Sequence, residues 1–377
     1  YELTDDKDFS LIAEAKKAAE AADVAVVFAG LPQQYESEGI DRTHINLPPS
    51  HNRLVAELAS VQKNLVVVLT NGSAVAMPWV EDVPSVVESW LGGQAGAGAV
   101  ADVIFGAVNP SGKLAETFPK RLEDTPAYLN FPGEAGESIY GERIFVGYRY
   151  YDTLQIEPLF PFGHGLSYTT FDYGDMTVSQ AHMSDSDTLT VSATISNTGK
   201  MAGKEIVQLY VSDPQSSLRR PLKELKGFSK ISLEPGESKQ VNFSLAARDF
   251  SFYDPRQSRW IAESGEFEIG IGASSADIRL NQTIRLSSTQ ELNYAIDEYT
   301  FFRELWEDAK TKPLLIEYMP EWIGTQTAEG KPLEEADIHA YLLDQPLIKF
   351  PYFTAGEVSK QQIIELIKRC KRMTYRP

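Results

Sequence analysis

The sequence predicts a multidomain chain: an α/β sandwich with a mostly parallel sheet, then an all-β sandwich, then a small helical C-terminal extension. Strand-like and helix-like segments alternate over the first part of the chain, which is typical of parallel sheets with right-handed crossovers. Apolar residues then recur at every second position, as in antiparallel strands, and helical periodicity returns near the end. We expect domains at residues 1–171, 172–289 and 290–377.

Length and composition indicate a folded protein of several domains. The chain has 377 residues, of which 42% are hydrophobic and 23% charged, so it can bury a sizeable core. Asp and Glu number 53 against 35 Lys and Arg, and the resulting net charge of −18 repels nucleic acid and anionic lipid. No apolar run reaches the ~18 residues of a membrane span. We therefore predict no nucleic-acid partner and no membrane partner.

The residues that bind metals and form disulfides are scarce. Cys370 is the single cysteine, which excludes an internal disulfide and, with no visible signal peptide, favours a cytoplasmic location. The five histidines show no spacing typical of metal ligands; they are His44, His51, His164, His182 and His339. We predict no metal and no cofactor.

The elements of the α/β region follow from periodicity and β-branched content. The run VAVVFAG at 24–30 is apolar on both faces, as expected for a strand buried in a parallel sheet. The predicted elements are helix 8–22, strand 24–30, a helix opening at 48–50, strands 64–72 and 85–93, and helix 97–106. Ligands of such sheets lie on loops that follow the carboxyl ends of strands, so loop 31–47 is the first candidate site.

The remaining regions have different patterns. Residues 110–170 are dense in Pro, Gly and aromatic residues and are predicted to be an ordered, irregular segment that wraps the sheet. Alternating runs separated by turn signals predict the strands of an antiparallel sandwich. These runs are 188–199, 205–213, 224–233, 239–246 and 265–274.

The segment GAGAVA at 96–101 matches the glycine fingerprint of dinucleotide-binding folds. However, it trails the third predicted strand, and no second strand ending in an acidic residue follows about 20 residues later. We therefore favour a structural interpretation, in which the glycines allow close packing of the helix on the sheet.

Loop 31–47 contains the most informative cluster of charged residues. Glu36, Glu38 and Asp41 stand beside Arg42 on a loop that should overlie the strand ends. One interpretation is an exposed acidic loop in an acidic protein. The other is a proton donor or acceptor, with a Glu whose pKa is raised by partial burial and an Asp41–Arg42 pair that holds the loop.

Residues 36–42, followed by Leu47 and Pro48, resemble the E-G-x-D-R…L-P segment of glycoside hydrolase family 3 β-glucosidases. Further motifs stand in the order of that family: GGQ at 92–94, ADVIFG at 101–106, NPSGKL at 109–114, TFP at 117–119, FVGYRYY at 145–151 and PFGHGLSYT at 161–169. NTG at 197–199 and QLYV at 208–211 are similar to the fibronectin type III-like domain of the same family. The resemblance covers roughly residues 8–285.

The resemblance implies that two different domains supply the two catalytic carboxyl groups. In the family, a (β/α)8 barrel carries the Asp nucleophile, and the following α/β sandwich supplies the general acid/base. Matched by position, the acid/base is Glu38, with Glu36 as the second choice. Tyr35, Asp41 and Arg42 would shape this loop or lie near the substrate. The implied reaction is the retaining hydrolysis of terminal β-D-glucosides.

A barrel of eight strand–helix units needs ~250 residues, and nothing before residue 8 or after 290 could supply them. We therefore expect the C-terminal part of a β-glucosidase, inactive without a barrel domain or chain that brings the nucleophile. A homo-oligomer is also compatible with this interpretation. Two alternatives stay open: a non-catalytic accessory chain that binds carbohydrate or protein, and a β-xylosidase or other exo-β-glycosidase specificity.

Overall fold

A computed structural model describes residues 9–290, 296–318 and 340–374. The chain forms two compact units, one of Tyr1–Phe252 with Ala262–Thr289 and one of Tyr253–Ile261 with Gln290–Pro377. The predicted fold class is confirmed: parallel strands with helices come first, an all-β region follows, and small helices end the chain. The predicted domain boundaries at 171 and 289 stay predictions.

The first unit begins with a three-stranded parallel sheet in the order β1-β2-β3. Val27, Val67 and Val86 lie side by side across it. The helices α1 and α2 pack on the face of the sheet to which Val27 belongs, and the three form one apolar core. Each helix can do so because its apolar residues recur at helical spacing and form one side of the helix. The elements are α1 (Phe9–Glu20), β1 (Ala25–Gly30), α2 (Pro49–Ala59), β2 (Leu65–Thr70), β3 (Ser85–Glu88) and α3 (Gly96–Ile104).

Strand β3 is shorter than the predicted strand 85–93 and ends at Glu88. The Glu88 carboxylate accepts a hydrogen bond of 2.8 Å from the backbone N–H of Trp90, and Trp90 has a φ of 51°. This left-handed conformation turns the chain out of the sheet. Within the irregular segment, the structure also contains a helix that the sequence did not predict, α4 (Tyr148–Leu154).

An all-β sandwich completes the first unit. Its sheets have the strand orders β5-β13-β12-β7-β8 and β4-β6-β9, with apolar side chains interleaved between them. The five predicted strands correspond to β6, β7, β8, β9 and β12, whereas β4, β5 and β13 were not predicted. The elements are β4 (Phe171–Val178), β5 (His182–Ser184), β6 (Thr188–Asn197), β7 (Gly203–Ser212), β8 (Glu224–Leu233), β9 (Ser238–Ala246), α5 (Ala247–Phe250), β12 (Gly265–Ser274) and β13 (Asp277–Ser287). Strands β10 (Phe252–Asp254) and β11 (Arg259–Ile261) form a separate two-stranded sheet, and residues 253–261 belong to the second unit.

A buried side chain joins the irregular segment to the sandwich. The Gln208 amide on β7 donates to the carbonyls of Gly163 at 3.1 Å and Ala273 at 2.7 Å, and its oxygen accepts a 2.6 Å bond from the Tyr210 hydroxyl. The Tyr148 ring stacks on Phe162 in the same region. Both the polar and the apolar contacts therefore fix residues 148–163 against the sheet.

The second unit is a small helical assembly with its own apolar core. The rings of Phe302 and Phe350 stack with their centroids 5.1 Å apart, and Cys370 is fully buried in the same cluster. Its helices are α6 (Phe302–Glu307), α7 (Lys312–Tyr318), α8 (Ala340–Leu343), α9 (Phe350–Phe353) and α10 (Lys360–Thr374). Together they form the helical extension that the sequence predicted.

We predict that Gly163→Ala destabilises the first unit by about 3 kcal/mol, since overpacking and backbone strain add. A Cβ at residue 163 would lie 2.2 Å from the Gln208 Oε1 atom, and the φ of Gly163 is 79°. Urea denaturation measures the change. Gly98→Ala is the matched control, because nothing lies within 4 Å of its Cβ. Equal losses in the two variants would contradict the assigned role of Gly163.

Candidate active site

The loop that follows β1 runs alongside the segment that follows β2. Their backbones meet at both ends: Leu31 donates to the Thr70 carbonyl at 3.0 Å, and Ala76 donates to the Ile45 carbonyl at 2.7 Å. A Cβ on Gly30 would lie 2.2 Å from the Thr70 oxygen, so this approach requires glycine. The carboxyl ends of two neighbouring parallel strands thus bring loop 31–47 against residues 71–76.

Glu36 and Arg42 form a clamp between the two segments. The Glu36 carboxylate accepts hydrogen bonds from the Gly72 backbone N–H at 2.6 Å and from the Ser73 hydroxyl at 3.1 Å. Arg42 donates to the Ser73 hydroxyl at 2.7 Å and to the Ala74 carbonyl at 3.2 Å. Its guanidinium also lies 4.0 Å from Glu36. We call these residues, Glu36, Arg42 and Ser73, the loop clamp.

Asp41 is not the partner of Arg42 that the sequence suggested. Arg42 turns toward Glu36 and Ser73 on the β2 side, whereas the Asp41 side chain is exposed. A buried guanidinium needs acceptors, and the β2 segment supplies them within hydrogen-bond distance. Tyr35 packs edge-on against the His44 ring at 5.7 Å, so it contributes to the shape of the loop.

Glu38 lies at the tip of the loop. Ile40 donates a 3.3 Å backbone hydrogen bond to Ser37, which makes Glu38 and Gly39 the central pair of a tight turn. Gly39 has a φ of 78°, the conformation that a type II turn requires at its third residue. Glu38 is exposed, and within the described part of the chain its carboxylate makes no hydrogen bond or ion pair.

Two further carboxylates near the clamp were missed by sequence reasoning. Burial raises the pKa of Glu88 to about 7, and the neighbouring Glu116 and Glu36 carboxylates add to this, against hydrogen bonds from Trp90 and Asn71. Burial also raises the pKa of Glu116, although the Ala74 N–H and Arg42 oppose the shift. Glu88 is the last residue of β3. Its position at the carboxyl end of a parallel strand, beside the ends of β1 and β2, is the sequence signal that could have identified it as a site residue.

A cleft of about 330 Å³ opens beside the clamp. Arg42 Nη2 and Glu116 Oε1 are buried at its wall, and neither has a protein hydrogen-bonding partner among the described residues. These atoms can hydrogen-bond a hydroxylated molecule or water. The lining residues are Arg42, His44, Ile45, Ser73, Ala74, Glu116, Thr117, Pro119, Leu122, Thr125, Pro126, Gly147 and Tyr151.

Within residues 9–290, 296–318 and 340–374, no group of three or more His, Cys, Asp or Glu is arranged to hold a metal ion. His339 lies outside these residues. In the same described ranges, no helix combines the length and the apolar character needed to cross a bilayer.

Family models match two parts of the chain. Residues 7–168 match the glycosyl hydrolase family 3 C-terminal domain, and residues 205–275 match a fibronectin type III-like domain. These matches confirm the resemblance drawn from the sequence motifs, and the second match lies within the all-β sandwich.

Curated relatives are β-glucosidases. The chain is 50% identical to the thermostable β-glucosidase B of Acetivibrio thermocellus, over 98% of the chain and 49% of that protein. It is 43% identical to the probable β-glucosidase I of Aspergillus oryzae, over 72% of the chain and 34% of that protein. The chain therefore spans about half, or less, of the length of these relatives.

Solved structures of β-glucosidases are also similar to this chain. A family 3 β-glucosidase from Bifidobacterium adolescentis is similar with a TM-score of 0.75 and 41% identity, over 83% of this chain and 46% of that one. The Kluyveromyces marxianus β-glucosidase, solved in complex with glucose, has a TM-score of 0.70 and 43% identity, over 74% of this chain and 33% of that one.

We predict that Glu88→Gln removes a pH-dependent loss of stability. Because the pKa of Glu88 rises from 4.5 to about 7 on folding, its stabilising contribution is complete below pH 4.5 and is lost as the pH rises toward 7. Gln cannot ionise and still offers an acceptor to Trp90. At pH 8 the variant should be more stable than the native protein by on the order of 1–3 kcal/mol, and at pH 4 nearly equal to it.

Urea denaturation at both pH values measures this difference, with Glu14→Gln on the exposed surface of α1 as the control. A stability difference between Glu88→Gln and the native protein that is the same at pH 4 and pH 8 would show that Glu88 ionises as it does in water.

Proposed function

The chain carries the C-terminal domain of glycosyl hydrolase family 3 together with a fibronectin type III-like domain, and on this premise we propose that it supplies the general acid/base of a retaining β-glucosidase. The residue in that role is Glu38. The observation that carries the proposal is its position: an unengaged carboxylate at the tip of a loop that the clamp holds in place.

Glu38 is a better candidate than Glu36 because their carboxylates are engaged differently. Both oxygens of Glu36 accept hydrogen bonds from the β2 segment, so they are not available to a glycosidic oxygen. Glu38 has no such partner in the described structure and faces solvent. We therefore assign Glu36 and Arg42 to positioning of the loop and Glu38 to proton transfer.

The proposed reaction has two steps. A nucleophilic Asp attacks the anomeric carbon while the Glu38 carboxylic acid protonates the departing glycosidic oxygen, which leaves a glycosyl ester on the Asp. The Glu38 carboxylate then takes a proton from water as that water attacks the anomeric carbon, and this releases the sugar and restores both groups. The two carboxyl groups need to lie about 5–5.5 Å apart.

The nucleophile is proposed to come from a (β/α)8 barrel in the part of the protein that these residues do not span. The lengths of the relatives support this, since the chain matches about half of the Acetivibrio thermocellus enzyme. The names of the relatives support a terminal β-D-glucoside as the substrate.

We predict that the 377-residue chain alone hydrolyses no p-nitrophenyl β-glucoside, whereas the complete protein does. Release of p-nitrophenol from both forms, at equal concentration, measures this. Turnover by the chain alone would place the nucleophile within these residues and would refute the proposed barrel contribution.

A second prediction distinguishes the proposed role of Glu38 from that of Glu36 in the complete protein. In Glu38→Ala, kcat/KM for alkyl β-glucosides should fall by about 10²–10⁴-fold, because poor leaving groups need protonation. The value for 2,4-dinitrophenyl β-glucoside should fall much less, since that leaving group departs unprotonated. The fall in rate at high pH, which reports loss of the acid, should also disappear.

Glu36→Gln is the matched control. It weakens the clamp, so both substrates should lose rate by a similar factor, and the fall at high pH should persist. If Glu36→Gln showed the dependence on leaving group and Glu38→Ala did not, the two roles would be exchanged.

A further inference from the structure

The cleft beside the loop clamp is formed by three segments whose backbones are tied down. Ile45 accepts a hydrogen bond from Ala76, and Phe118 exchanges backbone hydrogen bonds of 2.9 and 2.8 Å with Phe160 and Leu159. The volume of about 330 Å³ lies at the small end of the range for ligand sites, which is roughly 300–1,000 Å³. The cleft is therefore preformed and is suited to one small ring.

Three buried polar atoms at the cleft have no protein hydrogen-bonding partner among the described residues. Arg42 uses Nη1 for its bonds to the β2 segment, which leaves Nη2 unpaired. Glu116 Oε1 and Thr117 Oγ1 are the other two atoms, and Thr117 is only 7% exposed. Buried polar atoms without partners are rare and costly, so three of them at one cleft indicate a ligand that forms hydrogen bonds.

The hydrogen-bonding types of these three atoms define the groups that such a ligand carries. The Arg42 guanidinium only donates, the Glu116 carboxylate accepts, and the Thr117 hydroxyl does both. A hydroxyl group also donates and accepts, so neighbouring hydroxyls on one molecule can satisfy a guanidinium and a carboxylate together. The complementary ligand is therefore a polyhydroxylated molecule.

Apolar side chains form another part of the cleft lining. Ile45, Pro119, Leu122 and Pro126 belong to it, together with Tyr151. A pyranose has hydroxyls around its rim and C–H groups on its two faces, so it offers apolar surface to these side chains as well as hydrogen bonds to the polar atoms. Water satisfies the polar atoms alone.

The charges around the cleft favour a neutral ligand. The Arg42 guanidinium lies 4.0 Å from Glu36 and also interacts with the Glu116 carboxylate, so two carboxylates already balance its charge. An anionic ligand would add a further negative charge in a protein of net charge −18. A cationic ligand would meet the Nη2 donor of Arg42.

We propose that this cleft binds one neutral pyranose ring, with Arg42, Glu116 and Thr117 as its hydrogen-bonding partners. The ring is either a free monosaccharide or the end of a longer saccharide. This inference goes beyond the proposed function, which gives the cleft no binding role and requires only that a nucleophile reach Glu38. Only the choice of glucose as the probe rests on the proposed function, because β-glucoside hydrolysis releases glucose.

The test is a titration of the 377-residue chain with D-glucose, followed by NMR of isoleucine δ1 methyl groups. The Ile45 methyl signal, identified by its loss in Ile45→Leu, should shift in a saturable way with a Kd on the order of 1 mM. The methyl of Ile284, buried in the core of the sandwich, should not move. Cellobiose in a parallel titration distinguishes the two sources of the ring: the ligand with the lower Kd identifies the source, and saturable binding of either one supports the proposal.

Two variants test the assigned contacts. Glu116→Gln keeps the shape of the side chain but removes its charge, so the Kd should rise about tenfold. Thr117→Val removes one hydroxyl and should raise the Kd about threefold. Glu123→Gln is the matched control, since Glu123 is exposed on the same segment and does not line the cleft, and its Kd should equal that of the native chain. Urea denaturation checks that each variant is folded.

Three results would overturn the proposal. The first is the absence of a saturable Ile45 shift with both sugars at concentrations up to about 100 times the expected Kd, which would leave water as the partner of the buried atoms. The second is a native Kd in both Glu116→Gln and Thr117→Val. The third is a lower Kd for inorganic phosphate than for either sugar, which would contradict the neutral ligand.

The assay for β-glucoside hydrolysis by the complete protein is separate from this titration. A chain that binds the pyranose in the cleft, with a complete protein that hydrolyses no β-glucoside, would refute the proposed function and leave this inference standing. An active complete protein, with a chain whose Ile45 methyl does not respond to either sugar, would do the reverse.

Discussion

The hydrogen bonds that Glu36 accepts from Gly72 and Ser73 are the contacts on which the candidate site depends. They tie the loop after β1 to the segment after β2, and Arg42 closes the clamp by donating to the same Ser73 hydroxyl. Neighbouring parallel strands end at the same sheet edge, so the two segments are adjacent wherever this fold forms. Glu38 lies two residues from the anchored Glu36, at the tip of the tight turn that Ile40 closes on Ser37. The proton-transfer role proposed for Glu38 needs a loop supported in this way.

The same region is tied to the sandwich through buried polar contacts. The Gln208 amide donates to the carbonyl of Gly163 in the irregular segment and to that of Ala273 in the sandwich. Leu225 on β8 donates a 2.8 Å backbone hydrogen bond to the Tyr148 hydroxyl. Buried polar groups without partners are costly, so each of these contacts holds the irregular segment in one arrangement. The sandwich therefore supports the segment that contributes Thr117 and Tyr151 to the cleft.

Local patterns predicted most elements, and long-range contacts account for what they missed. The strand pattern of VAVVFAG depends on neighbours in sequence, so this strand follows from local residue types. The partner of Arg42 lies 31 residues away at Ser73, so sequence adjacency pointed to Asp41 instead. The end of β3 at Glu88 depends on a side chain that bonds the backbone beyond it. The glycines of α3 predicted close packing of that helix on the sheet, but among the described residues nothing lies within 4 Å of a Cβ placed on Gly96 or Gly98.

The assignment of Glu38 is tested most directly by chemical rescue in the complete protein. Azide added to Glu38→Ala needs no general base, so it should attack the glycosyl ester on the Asp and restore turnover of an activated β-glucoside. Because the ester has the α configuration, the product should be β-glucosyl azide, identified by proton NMR. Glu36→Gln should form none. Rescue of a Glu36 variant with no azide product from Glu38→Ala would contradict the account.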